Sequence, residues 1–149
     1  MILKIKNKYK NLKIYKKNLM NCCENVLNQE KKTGNVSLIF VDKKEIKKIH
    51  RKFMNIDSET DVISFEYDCE NYILDDSIIG DIFVSVDAAL EYAKLNDITF
   101  NEELLRYVIH GILHCIGYND SNTKPRKKML KKQEEYVSQQ KQNIIAKIV

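Results

Sequence analysis

The feature of this sequence that most constrains its fold is one long helical segment with an apolar stripe. Thr99 and Glu102 match a capping box, in which the threonine side chain accepts a hydrogen bond from the first turn of the helix. Apolar residues then recur at helical spacing, namely Leu104, Leu105, Val108, Ile109, Ile112 and Leu113. Gly117 stands where a left-handed residue closes a helix. The segment predicts a helix over 99–117, whose apolar side must be covered by other elements.

The rest of the chain contains predicted helices and strands that can cover this apolar side. Apolar periodicity predicts helices over residues 16–31, 43–53, 87–95 and 125–142, with Pro125 in the opening turn of the last. Short β-branched runs predict strands over 1–6, 36–41, 60–65, 72–74 and 78–86. Because 149 residues is close to the usual size of one domain, we interpret residues 1–149 as a single domain. The expected fold class is α/β (α+β), with about five helices on a small, mainly antiparallel or mixed sheet of about four strands.

The cysteines and the start of the chain favour a cytoplasmic protein. None of the four cysteines forms a C-x-x-C pair, which argues for a reduced, intracellular chain without a ribbon-type zinc site. The basic N-terminal segment lacks the apolar core of a signal peptide. No run approaches the roughly 18 apolar residues of a membrane span, so we expect no membrane association.

Charge is unevenly distributed, although the net charge is only +4. Residues 1–56 hold 15 Lys and Arg against 4 Asp and Glu, and residues 104–149 hold 9 against 3. Residues 57–103 hold 1 against 14. Basic flanks of this kind bind polyanions, because phosphate contacts supply most of the sequence-independent affinity for nucleic acids. The alternative is a solvated surface on which the acidic segment neutralises the basic ones.

Two of the three histidines, His110 and His114, lie one turn apart on the same face of the predicted helix. Gly117 then ends the helix, so that Asp120 can return toward the same point with a carboxylate. Two histidines and one carboxylate, with an open fourth position, are typical of a catalytic zinc site. The pattern predicts one Zn²⁺ held by His110, His114 and Asp120. The alternative for Asp120 is an ordinary polar residue of the turn.

Gly111 between the two histidines supports a functional interpretation of this helix. A glycine inside a helix costs about 1 kcal/mol relative to alanine, and a close backbone approach is its simplest explanation. The same residue occupies the position of the glutamate in H-E-x-x-H, the general base of zinc peptidases. A peptidase is therefore disfavoured.

The stretch HGILHCIGYND at 110–120, with TDVISF at 60–65 and IGDIFVS at 79–85, resembles the YbeY family of bacterial endoribonucleases. The resemblance implies an α/β fold in which the metal-binding helix lies over the sheet. It implies a metal-dependent endoribonuclease that is specific for single strands. It also implies a role in late maturation of the 3′ end of 16S ribosomal RNA and in ribosome quality control, with single-stranded RNA, ribosomal RNA and the small ribosomal subunit as partners.

The chain departs from the family pattern at two positions. The pattern ends with a third histidine where this chain has Asp120, whose carboxylate oxygen can bind Zn²⁺ at a similar distance. Before the TDV strand, many members carry an arginine credited with a catalytic role, and this chain has Met54. Candidates for a replacement cation are Arg51, Lys52, Arg106 and Arg126.

Arg106 is the replacement that we favour, because it lies four residues before His110 on the same helical face. We hypothesise that Arg106 stabilises the negative charge that develops on the scissile phosphate, and we assign catalytic roles to Arg106 and His114. The alternative is an ion pair with Glu102 or Glu103, one turn earlier.

Two lysine-rich helical segments, 43–52 and 124–132, are expected to hold the RNA backbone without reading its sequence. Two other functions compete with this prediction. One is a ribosome-associated RNA-binding assembly factor that contains the metal but has lost cleavage along with the arginine at position 54. The other is a zinc-dependent hydrolase of another substrate class, which Gly111 disfavours.

Overall fold

A computed structural model describes residues 3–67 and 78–149 of the chain. The helices are α1 (Lys16–Gln29), α2 (Lys43–Met54), α3 (Val86–Asn96), α4 (Phe100–Cys115) and α5 (Thr123–Gln140). The strands are β1 (Leu3–Asn7), β2 (Leu12–Ile14), β3 (Asn35–Val41), β4 (Val62–Glu66), β5 (Ile78–Ser85) and β6 (Ala146–Ile148). All five predicted helices are present, and the strand predicted over 72–74 lies outside the described residues.

Four strands form the main sheet in the order β1-β3-β5-β4. Strands β1 and β5 each pair with β3 in parallel, and β4 pairs with β5 antiparallel. The predicted α/β class, with five helices on a mixed four-stranded sheet, is confirmed. Of the two expected kinds of pairing, the mixed one is present and the mainly antiparallel one is not, since two of the three pairs are parallel. Parallel strands need crossover connections. Helix α1 lies in the connection from β1 to β3, and helix α2 lies in the connection from β3 to β5.

Helices α2 and α4 cover opposite faces of this sheet. Successive side chains of β3 alternate between two cores: Leu38 and Phe40 belong to the main core, and Ile39 and Val41 to a smaller one. Helix α2 contributes its two buried isoleucines to the smaller core, whereas α1, α4 and α5 bury their apolar residues in the main core. The two faces of the sheet therefore carry different helices, and only the α4 face carries the histidine pair.

Helix α4 is buried along most of its length, as its apolar stripe predicts. The Thr99 side chain accepts a hydrogen bond from the backbone N–H of Glu102 at 3.1 Å, so the predicted cap is present. On the sheet side, the Ser64 hydroxyl of β4 donates to the Gly111 carbonyl at 3.4 Å. Despite this burial, the described part of the chain has no helix with both the length and the apolarity that a membrane span requires.

The C-terminal segment returns to the start of the chain and forms a second, two-stranded sheet. Strand β6 pairs antiparallel with β2, and Ala146 lies opposite Ile14. Buried Asn101 of α4 supports this return: its Nδ2 donates to the Asn143 carbonyl at 2.9 Å, and its Oδ1 accepts from the Ile145 N–H at 2.8 Å. The sequence did not predict this sheet, because a three-residue strand is too short to show alternation.

Candidate metal centre

The two histidines of α4 lie side by side near its C-terminal end. The ring centroids of His110 and His114 are 4.8 Å apart. About one-fifth of each side chain is exposed, 19% for His110 and 21% for His114. Each ring is therefore held by its surroundings and remains accessible to an ion or a substrate.

The turn that follows α4 brings a carboxylate to the same point. Gly117 has a φ of +107°, a left-handed conformation that glycine adopts without strain. Its N–H and that of Tyr118 bond back to carbonyls in the last turn of α4 at 3.1 and 3.0 Å, which is the Schellman arrangement. The chain reverses there, and Oδ2 of Asp120 lies 3.4 Å from Nε2 of His110 and 3.3 Å from Nε2 of His114. The structure thus brings together the three residues that the sequence predicts as ligands.

The distances from Asp120 to the two histidines fit the spacing of ligands around a tetrahedral metal ion. Ligand atoms that lie 2.0–2.1 Å from Zn²⁺ in tetrahedral geometry are about 3.3 Å from one another. Two of the three separations here are 3.3 and 3.4 Å, and all three donor atoms lie within 4.8 Å of one another. Within residues 3–67 and 78–149, this is the one group of three or more such side chains that could hold a metal ion. Two imidazoles and a carboxylate suit zinc and other divalent transition metals.

Both imidazoles are hydrogen-bonded through Nδ1, which leaves Nε2 directed at Asp120. The backbone carbonyl of Tyr118 is 3.2 Å from Nδ1 of His114. Because a carbonyl can only accept, Nδ1 carries the proton of a neutral His114 ring. On the other ring, Nδ1 of His110 is 2.7 Å from Oε1 of Gln133 in α5. Metal-binding histidines are usually oriented by such a partner on the second nitrogen.

The protonation of His110 also suits a metal ligand. Burial lowers its pKa, and the neighbouring His114 lowers it further, while Gln133 and Asp120 act in the opposite direction. The net shift is downward from the usual histidine pKa of about 6.5, so the ring is neutral at pH 7. A neutral imidazole is the form that binds metals.

Two glycines allow α4 to approach the sheet closely beside this site. A Cβ at Gly111 would lie 2.5 Å from Cγ2 of Ile82 in β5. At Gly80, a Cβ would overlap the Cys115 sulfur and lie 2.9 Å from the Phe65 carbonyl oxygen. The close backbone approach that Gly111 predicts is therefore confirmed, and it fixes the depth at which the histidine-bearing turns of α4 lie over the sheet.

For Arg106, the structure favours the ion-pair alternative over the phosphate-stabilising role. Its Nη1 lies 2.7 Å from Glu103, and its Nη2 lies 3.2 Å from Glu102. Its Nε and Nη2 both donate to Glu134 of α5 at 2.9 Å. All three guanidinium nitrogens thus face carboxylates, and a substrate phosphate would have to displace at least one of them. The hydrogen bonds from Arg106 to Glu134 also raise the arginine pKa, which keeps the guanidinium charged.

The two lysine-rich helices differ in their position relative to the histidine pair. Helix α5 packs against α4, and four of the five lysines in its lysine-rich segment 124–132 are exposed, namely Lys124, Lys127, Lys128 and Lys131. Lys128 lines a surface pocket of about 370 Å³ beside the turn that carries Asp120. Helix α2 covers the other face of the sheet and ends at Met54, which is exposed. Arg51 and Lys52 are exposed in the last turn of α2.

The sequence gives no signal for several contacts around the site. Oε1 of Glu66, at the end of β4, is 4.0 Å from Nδ1 of His114. The Tyr118 hydroxyl donates to Glu30, at the C-terminal end of α1, at 2.5 Å, and Tyr136 of α5 donates to the same carboxylate. This pair of hydrogen bonds anchors the turn that holds Asp120 to α1 and α5.

The fold and the site together define a small α/β protein in which a helix over a mixed sheet carries two histidines and, in the turn that follows it, one carboxylate that together could hold a metal ion. The family model described as "Endoribonuclease YbeY" matches residues 4–141. The chain belongs to this family, as the resemblance in its motifs implies.

Proteins named "Endoribonuclease YbeY" are similar over most of their length. The one from Syntrophus aciditrophicus is 33% identical over 91% of this chain and 87% of its own. The one from Flavobacterium johnsoniae is 38% identical over 76% of this chain and 78% of its own. The solution structure of a Thermotoga maritima protein matches with a TM-score of 0.63 and 33% identity, over 92% of this chain and 87% of that one. The fold is therefore shared with a structure solved by experiment.

Proposed function

We propose that this protein is a zinc-dependent endoribonuclease that cleaves single-stranded RNA, with residues 1–149 as one functional domain. The observation that carries the proposal is the convergence of His110, His114 and Asp120, whose donor atoms lie within 4.8 Å of one another, in a chain of the YbeY endoribonuclease family. In this proposal the two imidazoles bind the ion through Nε2, and the Asp120 carboxylate supplies the third donor. The fourth position is left for water or for an oxygen of the substrate.

The protein groups around the site have distinct tasks in such a reaction. A bound divalent metal ion polarises a phosphoryl oxygen and lowers the pKa of water. The carbonyl of Tyr118 holds the His114 ring in its ligating orientation. Lysines of α5, Lys128 among them, lie on the side of the sheet where a phosphodiester would meet the metal. Since position 111 is glycine, the helix lacks the glutamate base of a peptidase.

The biological setting that we propose follows the family resemblance. It is cytoplasmic maturation of ribosomal RNA, at the 3′ end of 16S RNA, together with ribosome quality control. The partners in this setting are ribosomal RNA and the small ribosomal subunit. A second candidate is an assembly factor that binds RNA without cleaving it, because Met54 occupies the place of the arginine that many family members carry.

Removing the metal separates the two candidates. We expect about one zinc ion per chain in the purified protein by elemental analysis, and cleavage of a single-stranded RNA of ribosomal sequence that a chelator stops and added Zn²⁺ restores. A duplex of the same sequence should be cut much more slowly. Zinc without cleavage would favour the assembly factor, and protein without metal would contradict the site.

Removing positive charge beside the site tests where RNA binds. We expect the double variant Lys124→Gln, Lys128→Gln to lower affinity for single-stranded RNA. Two lost phosphate contacts should reduce the slope of log affinity against log salt by about 1.4, since each contributes about 0.7 on a single strand. The matched pair Lys44→Gln, Lys48→Gln has the same spacing on α2, which covers the other face of the sheet. We expect the α2 pair to reduce the slope less, because α2 lies on the face of the sheet away from the histidine pair. Filter-binding titrations between about 50 and 200 mM salt measure both slopes, and equal losses would show that both lysine-rich helices hold the RNA.

A further inference from the structure

A buried glutamine connects the metal site to a charged network on the neighbouring helix. Gln133 of α5 is 6% exposed. Its Oε1 is 2.7 Å from Nδ1 of His110, and its Nε2 donates to Oε2 of Glu134 at 3.0 Å. A polar side chain this deeply buried must satisfy both ends of its amide. Here the two ends reach a proposed metal ligand and a carboxylate.

The carboxylate determines which way the amide of Gln133 points. Glu134 can only accept hydrogen bonds when ionised, so it must face the NH₂ group of Gln133. The amide oxygen is then left facing His110, and it can only accept. Nδ1 of His110 therefore carries the ring proton, and the lone pair of the neutral ring is on Nε2, beside Asp120.

The carboxylate is in turn held by Arg106. Two guanidinium nitrogens donate to Glu134, and a third lies 2.7 Å from Glu103, which is almost fully buried. A carboxylate that accepts two hydrogen bonds from one guanidinium stays ionised and keeps its orientation. The hydrogen bonds from Arg106 also lower the pKa of Glu134, which favours the ionised carboxylate. Arg106 thereby acts on His110 through two intervening side chains.

We propose that Gln133 is a positioning residue, held by Glu134 and Arg106, which fixes His110 in the Nδ1-protonated tautomer and so presents Nε2 to the metal. The inference rests on the proposed function for the identity of the metal ligands. It assigns to Arg106 a positioning role in place of contact with the phosphate. Loss of such an outer hydrogen bond typically weakens metal binding by 10- to 100-fold.

The first test reads the tautomer without metal or substrate. In ¹⁵N-histidine-labelled, metal-free protein, the nitrogen shifts of His110 distinguish Nδ1–H from Nε2–H, and the chain has only three histidines to assign. We expect Nδ1–H in the native protein. We expect the Nε2–H form to become substantial in Gln133→Leu, which keeps the bulk and removes the acceptor. A native His110 protonated on Nε2 would overturn the inference.

The second test measures zinc affinity by competition with a chromophoric chelator. Gln133→Leu should bind Zn²⁺ 10- to 100-fold more weakly than the native protein, and Gln133→Glu, which retains an acceptor for Nδ1–H, should bind within about threefold of it. Gln139→Leu is the matched control, because this exposed glutamine of α5 bonds to α1 and not to the site. Unchanged affinity in folded Gln133→Leu would refute the inference.

The two proposals fail in different ways in these experiments. A native protein that binds no zinc would refute the proposed metal site, while the tautomer measurement would still decide the role of Gln133. If circular dichroism shows that Gln133→Leu is unfolded, the variant Glu134→Gln is used in its place, because Glu134 is exposed. That variant removes the charge that orients the amide, and it should raise the Nε2–H population and weaken zinc binding several-fold. An unaltered tautomer in Glu134→Gln would overturn the role given to Glu134 and Arg106.

Discussion

Replacing His114 with alanine should abolish metal binding and RNA cleavage while leaving RNA affinity close to that of the native protein. His114 supplies one of the three donors around the proposed ion, and its Nε2 lies 3.3 Å from Oδ2 of Asp120. Two remaining donors cannot hold zinc at the affinity of three, and we expect both zinc affinity and cleavage rate to fall by more than about 100-fold, beyond the range for an outer-sphere partner. Elemental analysis, cleavage of single-stranded RNA and filter binding on the same preparation measure the three quantities.

Two further variants control this result. His50→Ala removes a histidine of α2 whose Nδ1 lies 3.0 Å from the Ser58 carbonyl, and it should leave zinc content and cleavage unchanged. Asp120→His restores the third histidine of the family pattern and should retain zinc, whereas Asp120→Ala should lose it. Full cleavage by metal-free His114→Ala would rule out the metal-dependent mechanism. If Asp120→Ala binds zinc as tightly as the native protein, Asp120 is an ordinary residue of the turn and not a ligand.

Replacing Gly111 with alanine should destabilise the protein, although alanine is the better helix former. At an exposed helical site the change would gain about 1 kcal/mol. Here the new methyl group would lie 2.5 Å from Cγ2 of Ile82 and 3.1 Å from two more of its carbons. Overpacking of this kind costs about 1–3 kcal/mol, and it should prevail because Ile82 is fully buried in β5 and cannot turn away. Thermal unfolding should show a Tm lower by several degrees.

A double-mutant cycle with Ile82 identifies the cause of this loss. Ile82→Ala alone should cost about 2–5 kcal/mol in the free energy of unfolding, because it leaves a cavity. In the Gly111→Ala background the same truncation should cost less by about 1–2 kcal/mol, since it also relieves the overlap. Strict additivity would show that the overlap is not the source of the instability. If the depth of α4 over the sheet sets the position of the histidines, Gly111→Ala should also weaken zinc binding, and the double variant should restore it.

Much of the fold was predictable because it depends on short-range periodicity. The five helices follow from apolar spacing and from start and stop residues, and Thr99 and Gly117 perform the roles that their positions predict. The strand orientations were less predictable. Whether two strands run parallel depends on the path of the connection between them, which no residue of either strand specifies. The same reason accounts for the unpredicted pairing of β2 with β6, which is supported by a hydrogen bond from the C-terminal segment to the buried side chain of Asn101.

The sequence by itself determined the proposed ligand set, because each step in it is local. A helical repeat places His110 and His114 on one face, and a left-handed glycine three residues later reverses the chain and brings back Asp120. Only the tertiary structure decided the surroundings of that set. Glu134 and Gln133 reach Arg106 and His110 from a different helix, more than twenty residues away, and α2 packs on the far side of the sheet. Backbone hydrogen bonds fix neighbours within one element, whereas the partners of a side chain across elements are set by how the cores pack.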